Sequence, residues 1–199
     1  PPTTETHLHR HPHNRLLKLL KPEERLVRDI QNGDRAAMRR LYDQYSGYIM
    51  AIVMRYVPDR DDVADVVQDT FVRIFTSMSQ YEYRGEGTLR LWLSRVTANE
   101  ALGFLRRKGS ITFTDNIPDS PTDDEPDISQ ISNEALSEMI ASLPEGYRVV
   151  LNLYVFGQMS HKEIADELGI TPSTSASQYF HAKKMLANKI KEYNKRNAI

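Results

Sequence analysis

The chain of 199 residues contains no cysteine, which excludes disulfide bonds, thiolate metal sites and cysteine nucleophiles. No apolar run approaches the roughly 20 residues that a membrane-spanning helix needs, and no stretch at the N-terminus is typical of a secretory signal. No segment alternates in the manner of a β-strand, and no internal repeat occurs. We therefore expect a soluble, cytoplasmic, all-α protein.

The net charge of −1 conceals a segregation of charge along the chain. Residues 84–108 carry six lysines and arginines against two acidic residues, whereas residues 109–147 carry nine acidic residues and no lysine or arginine. Residues 148–199 are basic again, with eight basic residues against four acidic ones. Such asymmetry says more about partners than the net charge does.

Turn signals and apolar spacing divide the chain into four parts. We predict a disordered, basic N-terminal extension over residues 1–21, a helical domain over 22–108, a flexible acidic linker over 109–132 and a second helical domain over 133–199. The predicted helices span approximately residues 22–31, 34–57, 61–75, 89–108, 133–142, 145–156, 160–168 and 172–193.

Two consecutive helices of the first domain present opposite charges to solvent. The helix over 61–75 is acidic, and its polar positions are Asp62, Asp65, Gln68 and Asp69. The helix over 89–108 is basic and aligns Arg95, Asn99 and Arg106 on one face, with donors for phosphates and an amide that can read a base. The opposite charges indicate two different partners.

A glycine-containing loop precedes the basic helix: Arg84-Gly85-Glu86-Gly87-Thr88, called the glycine loop below. Its backbone N–H groups, carboxylate and hydroxyl could hold an unstacked base. Taken alone, a simple turn capped by Thr88 is the better interpretation.

The second domain contains the signals of a helix-turn-helix. Ser160 and Glu163 form a capping box, Gly169 ends the short helix, and Thr171 and Pro172 suit the start of the next one. A short helix, a turn with glycine and a second helix are typical of this motif. The second helix is predicted to have one polar face toward DNA. The residues on this face are Thr174, Ser177, Gln178, His181 and Lys184.

The ordered set of motifs resembles the extracytoplasmic-function group of the bacterial sigma-70 family of RNA polymerase sigma factors. The motifs that carry the resemblance are Asp65-Val-Val-Gln-Asp-Thr-Phe71, Tyr83-Arg-Gly-Glu-Gly-Thr88, Trp92-Leu-x-Arg95, Ala98-Asn99, Leu105-Arg-Arg-Lys108, Leu143-Pro144, Ser160-His-Lys-Glu-Ile-Ala165 and Lys183-Lys-Met-Leu186. They cover roughly residues 23–108 and 133–192. The resemblance implies a sigma domain 2 bundle and a sigma domain 4 helix-turn-helix joined by the acidic linker. It implies a dissociable specificity subunit, not an enzyme, with no catalytic residue, metal or cofactor.

The resemblance also implies three binding surfaces on this chain. One is for core RNA polymerase, whose clamp and flap are the expected contacts, and two are for promoter DNA. Polymerase would be bound by Asp62, Asp65, Gln68, Asp69 and Phe71. The −10 element would be bound by Arg84, Gly85, Glu86, Gly87, Thr88, Arg95, Asn99, Arg106, Arg107 and Lys108. The −35 element would be bound by Thr171, Ser173, Thr174, Ser175, Ser177, Gln178, Phe180, His181, Lys183 and Lys184. Members of the group are often held by a membrane-bound anti-sigma protein, but no residue of this chain indicates one.

Three residues depart from the family pattern. Gly103 stands where many relatives have aspartate, while Ala176 and His181 stand where they often have basic residues. The two changes in the second helix predict −35 binding that is weak alone, or a −35 sequence unlike the common one.

Two other interpretations stay open. A stand-alone helix-turn-helix regulator would explain residues 160–193 but would leave the acidic helix and the glycine loop without a role. The alternating His7, His9, His11 and His13 could bind a metal, although a flexible tail explains them better.

Overall fold

The computed structural model describes residues 20–109, 111–113, 126–129 and 131–197. Within these residues the chain forms eight α-helices and no β-strand, which confirms the predicted all-α class. The helices are α1 (Pro22–Gln31), α2 (Arg35–Tyr56), α3 (Arg60–Ser77), α4 (Thr88–Lys108), α5 (Asn133–Ala141), α6 (Glu145–Val155), α7 (His161–Leu168) and α8 (Pro172–Asn197). The four alternating histidines and most of the acidic linker lie outside the described residues.

Helices α1 to α4 pack around one apolar core. Spacing of three and four residues places Leu41, Ile49 and Val53 of α2 at its centre, where each is fully buried, with Ile74 of α3 and Leu93 of α4. The helix starts are fixed by side chains: an Asp34 carboxylate oxygen accepts from the N–H of Ala36, and Asp59 accepts from that of Asp61. This bundle presents α3 and α4 side by side.

Helices α5 to α8 form the C-terminal half. α8 lies against α5, α6 and α7, and its partners share a cluster of buried apolar residues: Ile140, Leu143, Tyr147, Leu151 and Ala182. The last helix extends four residues beyond the predicted end at residue 193. The packing holds α7 and α8 in the relative positions of a helix-turn-helix.

The two halves pack directly against each other. Val149, Val150 and Leu153 of α6 join the core of the N-terminal bundle. At the same contact, Arg148 Nε donates to the carbonyl of Tyr56 at 3.1 Å and Asn152 Nδ2 donates to that of Arg55 at 3.0 Å. The last carbonyls of a helix have no intrahelical donors, so α6 caps the C-terminus of α2.

Both described ends of the linker contact the C-terminal helices. Ile111 and Phe113 pack against the core, and the carbonyl of Asp127 accepts from Asn194 Nδ2 at 2.7 Å. A Cβ at Gly146 would lie 2.6 Å from the carbonyl oxygen of Thr112, so glycine permits this close approach. The domain boundaries at 109 and 132 stay a prediction.

Candidate nucleic-acid interface

The predicted stripe on the basic helix is present in the structure. Arg95, Asn99 and Arg106 of α4 are exposed along one face, and Leu91 adds an apolar side chain that is 63% exposed. The stripe begins beside the glycine loop and ends beside α7. It offers cations, one amide and one apolar side chain to a strand lying along α4.

The basic end of α4 also pairs with the acidic helix. Lys108 Nζ bonds to Asp62, and Arg107 Nη2 lies 4.0 Å from an Asp69 carboxylate oxygen. The hydrogen bond to Asp62 raises the pKa of Lys108 above its ordinary value. The acidic residues of α3 and the basic residues of α4, which were predicted to bind two different partners, therefore partly pair with each other.

Phe71 corrects one predicted polymerase contact. Its side chain is only 5% exposed and packs against the rings of Tyr42, at 4.6 Å between centroids, and Phe75, at 6.0 Å. Phe71 therefore belongs to the core, whereas Asp65, Gln68 and Asp69 are exposed as predicted.

The glycine loop is a hydrogen-bonded turn whose conformation needs glycine. Gly85 has φ +128° and Gly87 has φ +81°, in the range that side chains disfavour. Thr88 Oγ1 donates to the carbonyl of Gly85 at 2.6 Å and lies 2.9 Å from the hydroxyl of Tyr81. Because the Thr88 hydroxyl has a single hydrogen, Tyr81 must be the donor in the second bond. Arg84 and Glu86 are exposed at the loop surface.

Two clefts flank this loop. One, of about 430 Å³, lies between the loop, α1 and α2, and its lining includes Glu23, Tyr83 and Glu86. The other, of about 550 Å³, is called the aromatic cleft and is lined by Gln80, Tyr81, Glu82, Arg84, Thr88, Leu91, Trp92 and Arg95. In it the rings of Tyr81 and Trp92 lie 4.8 Å apart. The predicted −10 set contains neither Tyr81 nor Trp92, because hydropathy assigns aromatic side chains to the core.

The side chain of Tyr83 lines the first cleft, and its hydroxyl is buried. Burial raises the pKa of Tyr83 above its ordinary value, and the nearby carboxylates of Glu23, Glu24 and Glu86 act in the same direction. The phenol therefore stays neutral at physiological pH.

The predicted caps of the helix-turn-helix are confirmed. Ser160 and Glu163 exchange the two bonds of a capping box, and Gly169 ends α7 in the left-handed conformation with φ +68°. Thr171 Oγ1 accepts from the N–H of Thr174 at 3.0 Å. Hydrogen bonds from the backbone and side chain of Ser160 lower the pKa of Glu163 below its ordinary value.

The exposed face of α8 differs in phase from the predicted one. Between residues 173 and 184 the exposed side chains are Ser173, Ala176, Phe180 and Lys183, whereas Thr174, Ser177, His181 and Lys184 are half-buried along the edge of this face. Thr171 is exposed before the helix. Phe180 is 58% exposed.

Ser175 and Gln178 correct the predicted −35 set, because both are fully buried. Ser175 Oγ lies 3.0 Å from Nδ1 of His161 and joins α8 to α7. Gln178 lies near Gly146, where its Oε1 would be 3.0 Å from an added Cβ. Neither residue faces the surface that DNA would approach.

Helix α7 turns two acids toward the basic stripe. Arg106 Nη2 donates to Oε1 of Glu167 at 2.8 Å and also to the Glu167 carbonyl. Glu163 lies one turn earlier on α7, and Arg95 of α4 makes the smallest contribution to the lowering of the Glu163 pKa. The predicted −10 face is therefore partly occupied by the chain itself.

The described residues give no sign of two other kinds of site. No group of three or more histidine, aspartate or glutamate side chains among them is placed to hold a metal ion. In the same part of the chain, no helix is both long and apolar enough to cross a membrane.

The sequence matches two family models in the order of the two helical halves. Residues 41–111 match sigma-70 region 2, and residues 133–186 match sigma-70 region 4. The first match accounts for α2, α3, the glycine loop and α4, which a stand-alone helix-turn-helix regulator leaves unexplained.

Known proteins are similar over most of their length. The chain is 28% identical over 182 residues to the ECF RNA polymerase sigma-E factor of Haemophilus influenzae, covering 84% of this chain and 95% of that protein. It is 29% identical over 179 residues to the same factor of Escherichia coli K12, covering 83% and 92%. A solved structure of the sigma factor RpoE with the anti-sigma factor NepR from Bartonella quintana is 18% identical, with a TM-score of 0.48, over 77% of this chain and 96% of that one. On the two family matches and these relatives, the chain belongs to the extracytoplasmic-function group of the sigma-70 family and is an RNA polymerase sigma factor.

Proposed function

We propose that this sigma factor binds core polymerase through the exposed acids of α3, holds the melted −10 element on the glycine loop and α4, and reads the −35 element with α8. The observation that carries the proposal is the continuous surface formed by the aromatic cleft and the stripe of Arg95, Asn99 and Arg106. Because the polymerase works in the bacterial cytoplasm, the protein acts there, and phosphodiester synthesis belongs to the polymerase.

At the −10 element the aromatic cleft receives an unpaired base of the non-template strand. Unstacking a base costs a few kcal/mol, and stacking on an aromatic ring returns roughly 1–3 kcal/mol per base. Half-buried Trp92 supplies the ring, and buried Tyr81 supports it at 4.8 Å between ring centroids, while Arg84 and Arg95 at the rim attract the adjacent phosphates. The other cleft is the weaker candidate, because its lining balances Lys21 and Arg40 against Glu23 and Glu86, whereas the aromatic cleft has two arginines against Glu82 alone.

At the −35 element the exposed face of α8 enters the major groove. Lys183 suits a phosphate, Ser173 a base edge, and Phe180 the methyl group of a thymine. Replacement of Phe180 by alanine should weaken binding to a duplex −35 element by roughly tenfold, with the loss confined to sites that contain the thymine. An equal loss on every duplex would contradict the assignment of Phe180 to base reading.

At the polymerase, Asp65, Gln68 and Asp69 face a basic surface of the clamp. Tyr42 and Val72 beside them are 44% and 57% exposed and add apolar area to the same surface. A charged patch next to an apolar one suits a protein interface. Contact of the C-terminal half with the flap, and control by an anti-sigma protein, complete the proposed set of partners.

The deciding experiment is gel filtration with sigma-free bacterial core RNA polymerase. Wild type should co-elute in a 1:1 complex, and Asp65→Arg/Asp69→Arg should elute alone. The matched control is Glu134→Arg/Glu138→Arg, which reverses two exposed acids with the same i, i+4 spacing on α5. Co-elution of the α3 variant, or equal loss in the control, would refute docking through α3.

A further inference from the structure

Helix α1, which precedes the region matched by the family model, is bonded to both sides of the glycine loop. Glu23 Oε2 accepts from the backbone N–H of Gly87 at 3.0 Å, across 64 positions of sequence. On the other side, Gln31 Nε2 donates to the carbonyls of Met78 at 3.0 Å and Tyr81 at 2.8 Å. The loop is therefore fixed by a helix that does not itself line the aromatic cleft.

The bond to Gly87 lies where the loop is most free to move. Gly87 is the N-cap residue of α4, has left-handed φ and has no side chain with which to cap the helix. Two glycines in three residues give the unrestrained loop many conformations. A carboxylate that accepts a backbone N–H forms a charge-assisted bond, which is stronger than a neutral one. Glu23 therefore selects one conformation before DNA arrives, and binding does not have to order the loop.

We propose that Glu23 is a positioning residue for promoter reading, acting through the backbone of Gly87 on the base held in the aromatic cleft. The inference rests on the proposed −10 function. It predicts that loss of the Glu23 acceptor lowers the discrimination between bases more than it lowers the stability of the fold.

The test uses holoenzyme assembled with sigma-free core polymerase. The probe is a single-stranded DNA that wild-type holoenzyme selects from a random pool, with 2-aminopurine marking the position that becomes unstacked on binding. The measured quantity is the ratio of affinities for the selected base and for the other three bases at that position. The variants are Glu23→Ala, Glu23→Gln, which keeps an oxygen acceptor, and Gln31→Ala. The matched control is Glu24→Ala, which removes the same charge from the same helical turn, where Glu24 pairs with Arg28 at 3.6 Å.

We expect Glu23→Ala and Gln31→Ala to lower this ratio by roughly three- to tenfold. Glu23→Gln, whose neutral bond is weaker, should lower it by less, and Glu24→Ala should stay within about twofold of wild type. A general loss of folding would lower all four affinities together and leave their ratio unchanged. If Glu23→Ala gave the same ratio as Glu24→Ala, the positioning role of Glu23 would be wrong, while the proposed −10 function would stand. Failure of wild-type holoenzyme to select any strand would overturn the −10 function, and this inference with it.

Discussion

Arg148 provides the sharpest test of the contact between the two halves. It is 4% exposed, and its guanidinium donates to three carbonyls, those of Tyr56 at 3.1 Å, Ala141 at 3.1 Å and Leu143 at 2.8 Å. Burial lowers the pKa of Arg148, and nearby Glu145 opposes that shift; an arginine nevertheless remains charged in proteins. Arg148→Met keeps most of the side-chain volume and removes every donor.

The expected loss of stability follows from the acceptors that are left behind. Each buried acceptor without a donor costs about 1–3 kcal/mol, and water can reach the part-buried carbonyl of Ala141, so we expect a total of about 3–4 kcal/mol. With a urea m-value of about 2–3 kcal/mol/M for a chain of this size, the unfolding midpoint should fall by more than about 1 M. Lys162→Met, which removes an exposed cation on α7, should change stability by less than about 0.5 kcal/mol.

The assay is urea unfolding followed by two signals. Trp92 is the sole tryptophan and reports on the N-terminal bundle, whereas far-ultraviolet circular dichroism reports on all helices. Because Arg148 lies on α6 and caps α2, both midpoints should fall together. A shift in circular dichroism with an unchanged Trp92 transition would refute the coupling of the two halves through this residue.

Three further predictions concern α8, the capping box of α7 and Gly146. Ala176→Lys with His181→Arg should raise affinity for a −35 duplex and steepen its salt dependence by about two in slope; unchanged anisotropy titrations would contradict this. The lowered pKa of Glu163 means that the capping box stabilises α7 at neutral pH and that this stabilisation is lost as pH falls through the depressed pKa, so Glu163→Gln should reduce the loss of helical signal on acidification. Gly146→Ala forces a Cβ to within 2.6 Å of the carbonyl of Thr112 and should cost roughly 1–3 kcal/mol in urea unfolding, whereas an unchanged midpoint would show that residues 111–113 move away freely.

Sequence reasoning succeeded where the signal is local. Pro22, Gly169 and the Ser160 capping box mark helix ends through the chemistry of a few neighbouring residues. The predicted exposed face of α8 was wrong because the helix packs through Ser175 and Gln178. Hydropathy assigns such polar residues to the surface, but both are buried.

The contact between the halves could not be predicted from sequence for a related reason. Arg148 reads as an exposed cation, and its acceptor at Tyr56 lies 92 positions away. Glu23 likewise reads as an ordinary acid in the first turn of a helix, and only the folded chain brings it to Gly87. Both residues act through backbone atoms, whose position no pattern of side chains reports.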